Sequence, residues 1–373
     1  MRILIIGAGV VGASTAYHLA DAGADVAVVD RGGGGQATAA GAGIICPGLS
    51  GGHSEPWYAM ACRGAGYYPE LVDRLAADGE TDLGYAVPGA LFVAGRDEPL
   101  DDVHALVVEH RRAGVPAIAE VSRLNPREAR ELFPYLREEL SAVHVSGAAR
   151  VDGRRLRDGL LRAATRRGAG HRHGSAALLV SGDRVTGAVV DGEPMPADAV
   201  VVAAGAWTSY VCRPLGLGVA VRPQRGQILH LELAGGARPE LPIVQSFSSH
   251  YLLGFAGGRV VAGATRETGS GFDARLTAAG VAEVLSEALR LAPGLGPATV
   301  AETRVGLRPM SDDGLPVLGS PAPGLVVATG MGPTGLTMGP YAGALAARLA
   351  LDEPVPLDLT PYDPRRSPTE PGA

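Results

Sequence analysis

The chain of 373 residues carries 33 basic and 39 acidic side chains, for a formal charge of −6. That balance excludes a general nucleic-acid binder, which needs a basic surface to neutralise phosphates. Hydrophobic residues make up 46% and charged residues 19%, enough to bury a sizeable core and too apolar for a disordered polymer.

Length alone suggests two domains, or one large one. No apolar run reaches the ~18 residues that a membrane helix needs, so no membrane span is expected. Met1-Arg2 leads straight into an apolar strand, so no signal sequence is expected. Cys46, Cys62 and Cys212 are odd in number and far apart, which argues against a disulfide framework or a metal site and fits a cytoplasmic protein. Every basic residue is arginine. A Schiff-base lysine, or a lysine acting as base or oxygen activator, is therefore excluded.

In chain order, residues 2–6 form a short apolar run suited to a parallel strand buried on both faces. Gly7-Ala8-Gly9-Val10-Val11-Gly12 follows at once, and Ala13, Ala16, Leu19 and Ala20 then recur at helical spacing up to Gly23. A second strand from Asp25 ends at Asp30. In this pattern Gly7 permits a tight turn, Gly9 lets backbone approach a pyrophosphate, and Gly12 lets the helix pack on the strand. The helix N-terminus offers free N–H groups to phosphates, and the acid can accept ribose hydroxyls. The motif by itself does not separate FAD from NAD, and Arg31 leaves a 2′-phosphate reading open.

Residues 36–45 are small up to Ile44. They allow backbone to lie flat against a ligand, or they are a flexible loop. Val185–Val190 and Ala199–Trp207 read as further strands of the sheet, the second ending in a small-residue turn. Residues 220–263 alternate in the manner of an antiparallel sheet, a different texture from the N-terminal unit. Gly324–Gly330 is another buried strand, followed by Met331-Gly332-Pro333-Thr334-Gly335-Leu336-Thr337 and a helix to about Leu351.

Gly7–Gly12 with Asp30, Thr38–Ile45, Ala203–Trp207, Gly306-Leu307-Arg308-Pro309 with Asp313–Pro316, and Gly330–Gly339 occur in one order. In that order the chain resembles the D-amino-acid oxidase superfamily of flavoproteins, nearest the bacterial glycine oxidase and sarcosine oxidase branch. The resemblance covers residues 1 to about 352. It implies an α/β fold in which a discontinuous Rossmann-like FAD domain (1–84, 148–219, 306–363) carries an inserted α+β substrate domain (85–147, 220–305) built on an antiparallel sheet. Residues 364–373 are expected to be a loose tail.

The resemblance implies FAD contacts from Gly7, Gly9, Val10, Val11, Gly12, Asp30, Arg31, Thr38, Ala39, Gly41, Ala42, Gly43, Ile44, Ala177, Ala204, Gly205, Trp207, Arg308, Gly332, Pro333, Thr334, Gly335, Leu336 and Thr337. Asp30 stands where the family usually has Glu. Pro333 stands where glycine oxidases carry a second arginine. No cysteine lies near Met310, where covalently flavinylated relatives place one, so non-covalent FAD is expected.

The implied reaction oxidises the C–N bond of a small amino acid. Hydride passes from Cα to flavin N5, the imine hydrolyses to a 2-oxo acid or glyoxylate, and oxygen is reduced to hydrogen peroxide. A guanidinium suits the substrate carboxylate because its fork matches both oxygens and stays charged, and Arg308 is the candidate. Tyr251 is the candidate hydroxyl. His250 points to the opposite face if that strand is regular. His53, His250, Met331 and Pro333 complete the candidate substrate residues, and His53, His250 or an arginine is the candidate positive group for oxygen. A dehydrogenase passing electrons to a quinone or carrier, and a non-catalytic flavin-binding subunit, remain alternatives.

Overall fold

The computed structural model describes residues 1–234 and 240–366. Arg2–Ile6 is flanked by Asp25–Asp30 on one side and Ala199–Val202 on the other, all parallel, with Ile3 opposite both Val26 and Ala199. Gly170–His173 extends the sheet beyond Asp25–Asp30, and Leu325–Thr329 and then Val317–Ala322 extend the other side. Only the last pair is antiparallel. Residues 3–6 are all buried, as a strand covered on both faces must be.

One face carries helices. Val10–Asp21 packs on the C-terminal helix Gly335–Ala350 at glycine positions, and a Cβ on Gly343 would fall 2.6 Å from the Ser14 side chain. The close approach lets Ser14 Oγ donate to the Pro340 carbonyl at 2.6 Å and Thr15 Oγ1 to that of Gly343 at 3.1 Å. Thr337 Oγ1 donates to the Ile44 carbonyl at 2.9 Å. The two ends of the chain are thus locked against each other around the first strand.

The other face differs from the sequence reading. Arg184–Val190 is not in the parallel sheet. It forms a separate antiparallel meander with Ala176–Ser181 and Glu193–Pro196. Gly182 and Gly192, both at positive φ, make its hairpin turns. Leu178, Val185 and Val190 from this meander pack on Leu4, Ile6, Val200 and Val202. Periodicity reads strands, and the hairpin connections decide which sheet they join.

A nine-stranded sheet makes the second unit. It pairs Glu267–Thr268, Val221–Glu232, Arg259–Gly263, Tyr251–Phe255 and Ile243–Gln245 in that order, then continues through Ala90–Ala94, Ser141–Val145 and Val121–Leu124. Thr299–Ser311 pairs antiparallel with Val221–Glu232 over its whole length, running past residue 305 into the Gly306–Pro309 segment. Helix Ala278–Leu291 covers one face with Val284 and Ala288 on Leu229, Leu231 and Val260.

Ion pairs join the two units. Arg259 reaches Asp152 at 2.7 Å, while Glu302 holds Arg154 at 2.8 Å and Arg304 at 2.7 Å. Within the expected loose tail Arg366 is held in place, donating to Asp313 at 2.7 and 2.9 Å. Residues 367–373 lie outside the described residues. No helix among the described residues is long and apolar enough to cross a membrane.

Candidate active site

The turn after the first strand needs its glycines. Gly7 has φ +109°, and a Cβ there would sit 2.4 Å from the Ala203 carbonyl oxygen. A Cβ on Gly12 would sit 1.9 Å from the Gly7 carbonyl oxygen, so Gly12 is a packing residue and does not line the cavity. The Val10 N–H donates to Thr38 Oγ1 at 2.9 Å, which ties the helix start to the small-residue segment. Asp30 accepts from the Ala8 and Gly32 N–H groups, each at 2.7 Å, so its carboxylate sits at the edge of the same turn.

A cavity of about 740 Å³ opens from this turn, within the roughly 300–1,000 Å³ of cofactor and ligand clefts. Gly7, Gly9, Val10, Val11, Asp30, Arg31 and Thr38 line it, as do Gly41, Ala42, Gly43 and Ile44. So do Ala177, Ala204, Gly205, Trp207, Met331, Gly332, Pro333, Gly335 and Leu336. The walls are glycine and alanine backbone for much of their length, which leaves room for a flat, extended cofactor. Asp30 for a ribose and the Val10 helix start for a pyrophosphate suit the two polar parts of FAD.

Other expected contacts point elsewhere. Ala39 faces away and its carbonyl accepts from Arg304 at 3.3 Å. Thr334 turns its hydroxyl onto the Met331 carbonyl at 3.0 Å, and Thr337 is committed to Ile44. His53 stacks on Trp57 with ring centroids 3.7 Å apart, away from the cavity wall. His250 lies with Nε2 3.2 Å from Glu283 on the covering helix, on the opposite side of its strand from Tyr251. Alternation along a pleated strand separates the two neighbours.

The other end of the cavity is built on the antiparallel sheet. Gln224 lies opposite Arg308, and Gly226 opposite Gly306. The Arg308 side chain crosses over Gly226, where a Cβ would come within 2.5 Å of the guanidinium. Its Nη1 donates to the Thr265 carbonyl at 3.0 Å. Burial lowers its pKa; Tyr251 and Glu267 offset this in part and Arg266 adds to it. A guanidinium stays charged through such a shift. Tyr251 packs its hydroxyl over Gly263, which has no side chain to block it. Burial raises the Tyr251 pKa, with Arg308 and Arg266 opposing, so the phenol keeps its proton.

Among the lining residues that the sequence reading missed are Gly226, Arg266, Tyr210 and Phe272. Tyr210 and Trp207 both pack on Phe272, at 5.3 and 5.4 Å between centroids, and the Arg31 guanidinium lies 4.6 Å from the Trp207 ring centre. A glycine inside a strand signals close approach of another group, so Gly226 carried a readable cue. Arg266 carried none, because only strand order brings it beside Arg308.

A βαβ glycine turn, an acid on the next strand, and a cavity shared with an antiparallel sheet define a nucleotide-cofactor oxidoreductase. A family model described as DAO, FAD dependent oxidoreductase, matches residues 2–349, and the chain belongs to that family. It is 47% identical to the uncharacterized oxidoreductase YurR of Bacillus subtilis, over 97% of this chain and 98% of that one. The crystal structure of iminodiacetate oxidase (IdaA) from Chelativorans sp. BNC1 superimposes with a TM-score of 0.94 at 45% identity, covering 100% of both chains. Glycine oxidase from Geobacillus kaustophilus superimposes with a TM-score of 0.88 at 29% identity, covering 98% of this chain and 99% of that one. The protein is an FAD-dependent amino-acid or amine oxidoreductase.

Proposed function

We propose that this protein oxidises the C–N bond of glycine, a D-amino acid or an N-substituted glycine to an imine. Hydrolysis of the imine gives a 2-oxo acid or glyoxylate, and oxygen accepts the two electrons as hydrogen peroxide. The observation that carries this reading is Arg308, a cavity-facing guanidinium held over Gly226 by the Thr265 carbonyl. Bound FAD supplies the hydride acceptor.

The chain's own residues bind and orient. Arg308 presents two parallel N–H donors to a carboxylate and fixes where the α-carbon lies. The protonated Tyr251 hydroxyl lies in the same end of the cavity, available to hydrogen-bond the substrate. Among the described residues no carboxylate or histidine lines this end, so neither of those groups is placed there to take the amine proton. A substrate that binds with a neutral amine meets that condition. Among the described residues no cysteine lines the cavity, which favours non-covalent FAD. The iminodiacetate oxidase neighbour brings an amine with two carboxymethyl arms into the candidate set, since iminodiacetate is itself an N-substituted glycine.

The test is anaerobic mixing of the holoenzyme with glycine, D-alanine, sarcosine and iminodiacetate while following flavin absorbance. At least one should bleach the flavin, and air should then yield one peroxide per turnover. Bleaching without peroxide indicates a dehydrogenase that needs a quinone or carrier. A flavin that no amine bleaches removes the reading. Denaturation should release free FAD.

A further inference from the structure

The cavity wall beside Arg31 is shared between the two units. Trp207 and Tyr210 come from the turn and short helix that follow Ala199–Val202. Phe272 comes from the loop that leaves the antiparallel sheet at Glu267–Thr268 and returns as helix Ala278–Leu291. All three rings line the cavity. Phe272 lies 5.4 Å from Trp207 and 5.3 Å from Tyr210 between ring centroids, so the aromatic contact bridges the seam. Arg31 follows Asp30 and lays its guanidinium over the Trp207 ring, which ties this wall to the carboxylate suited to the ribose.

The loop is fastened at its base. Arg225, on strand Val221–Glu232, pairs with Glu267 at 2.6 Å and with Asp273 at 3.0 Å. Its Nη1 also donates to the Asp273 and Arg275 carbonyls at 3.4 and 3.5 Å. The Gln227 side chain exchanges two hydrogen bonds with Thr277, at 2.8 and 3.0 Å. Between these anchors Gly269 and Gly271, at φ +86° and +57°, turn the chain away from the sheet edge, and Phe272 meets the other unit. Packing alone does not account for the rings. Tyr210 stays 57% exposed and Phe272 is half-buried, whereas an aromatic ring that completes a core is covered. An aromatic wall left partly open along a cofactor cavity offers its faces to a planar heterocycle.

We propose that Phe272 and Tyr210 form a latch over the adenosine end of the FAD cavity, so that the antiparallel unit retains the cofactor that the glycine turn of the other unit cradles. FAD then leaves only when the 269–277 loop lifts from the Trp207–Tyr210 wall. Arg225 keeps the base of that loop on the sheet, so the movement is confined to the segment that carries Phe272. The latch acts on the cofactor and is independent of which amine is oxidised.

The rate at which the holoprotein releases FAD tests this. Diluted holoprotein is sampled by ultrafiltration over time, and flavin in the filtrate is read by absorbance. Phe272→Ala should release FAD on the order of 10-fold faster than the wild type, the scale set by losing two aromatic contacts. Phe272→Leu keeps apolar volume without a ring and should release it at an intermediate rate, while Phe272→Tyr should stay close to the wild type. Asp273→Asn leaves the ring in place but removes an ion pair that fastens the loop, and it should also speed release. Leu276→Ala trims an exposed side chain of the same loop that does not line the cavity, and its release rate should match the wild type. Wild-type release from Phe272→Ala and Phe272→Leu, or equal acceleration in Leu276→Ala and Phe272→Ala, overturns the assignment.

Discussion

Gly226 and Arg308 occupy complementary volumes: the guanidinium lies where a Cβ on Gly226 would approach it to 2.5 Å. The glycine sits opposite Gly306 in the ladder, two residues along from the Gln224–Arg308 pair, so its missing side chain opens a diagonal path across the strand. Gly226→Ala should push the guanidinium off the Thr265 carbonyl while leaving the FAD cradle untouched. A displacement of about 1 Å can cost roughly 10²-fold in rate. Steady-state kinetics should show a large rise in KM or fall in kcat/KM with flavin content unchanged. Wild-type kinetics in this variant would mean that the Arg308 position is not critical.

Arg308 itself allows a sharper comparison. Arg308→Leu removes both charge and fork, and kcat/KM for any amino-acid substrate should fall on the order of 100-fold or more. Arg308→Lys keeps a charge but cannot span both carboxylate oxygens or reach the Thr265 carbonyl in the same geometry. It should recover only a small part of the loss. If the lysine variant matches the wild type, charge alone matters and the bidentate clamp is not used. Substrate titrations of both variants, with flavin absorbance as the control for folding, decide this.

At the opposite end of the cavity, Asp30 accepts from the Ala8 and Gly32 N–H groups. Its carboxylate organises the turn that faces the pyrophosphate as well as offering an acceptor to a ribose. Asp30→Ala removes both functions. Hydrogen bonds to charged groups are worth about 1.5–3 kcal/mol, so FAD affinity should fall on the order of tenfold or more. Titrating apoprotein with FAD and following flavin fluorescence measures it. Retained affinity in Asp30→Ala would assign the ribose to another group.

Sequence makes the glycine-turn end of the cavity readable and much of the antiparallel end opaque. Gly7, Gly9, Gly12 and Asp30 lie within one βαβ unit, where spacing along the chain maps directly onto spacing in space. The separation of Tyr251 from His250 was likewise readable, because a strand alternates its side chains. Arg266 and Gly226 are different. Their relation to Arg308 depends on which strand lies beside which, and on the register of Val221–Glu232 with Thr299–Ser311. No local pattern encodes that register. Arg184–Val190 was legible as a strand but not as part of a separate meander, for the same reason. His53 was placed near the substrate by loop position alone, and its stacking on Trp57 depends on a helix that begins after it.

The seam between the two units should make stability depend on pH through His230. This residue is buried on the long strand Val221–Glu232, and among the described residues neither ring nitrogen has a hydrogen-bond partner. Burial lowers its pKa to about 4, with Arg304 and Arg259 adding to the shift and Glu302 and Asp152 opposing it. The free imidazole titrates near 6.5. Between those two values the unfolded chain binds the proton and the folded chain does not, so acidification favours unfolding. Above pH 6.5 the ring is neutral in both states and adds no pH dependence, and stability is lost progressively as the pH falls from 6.5 to 4. The loss from this group is on the order of 3 kcal/mol at its limit. His230→Leu removes the titrating ring and its unpaired nitrogens while keeping the volume close. Urea unfolding at pH 7 and pH 5 should show a smaller drop in stability for the variant than for the wild type. An equal drop in both proteins would place the acid sensitivity elsewhere, with His18, whose pKa burial also lowers to about 4, as the next residue to replace.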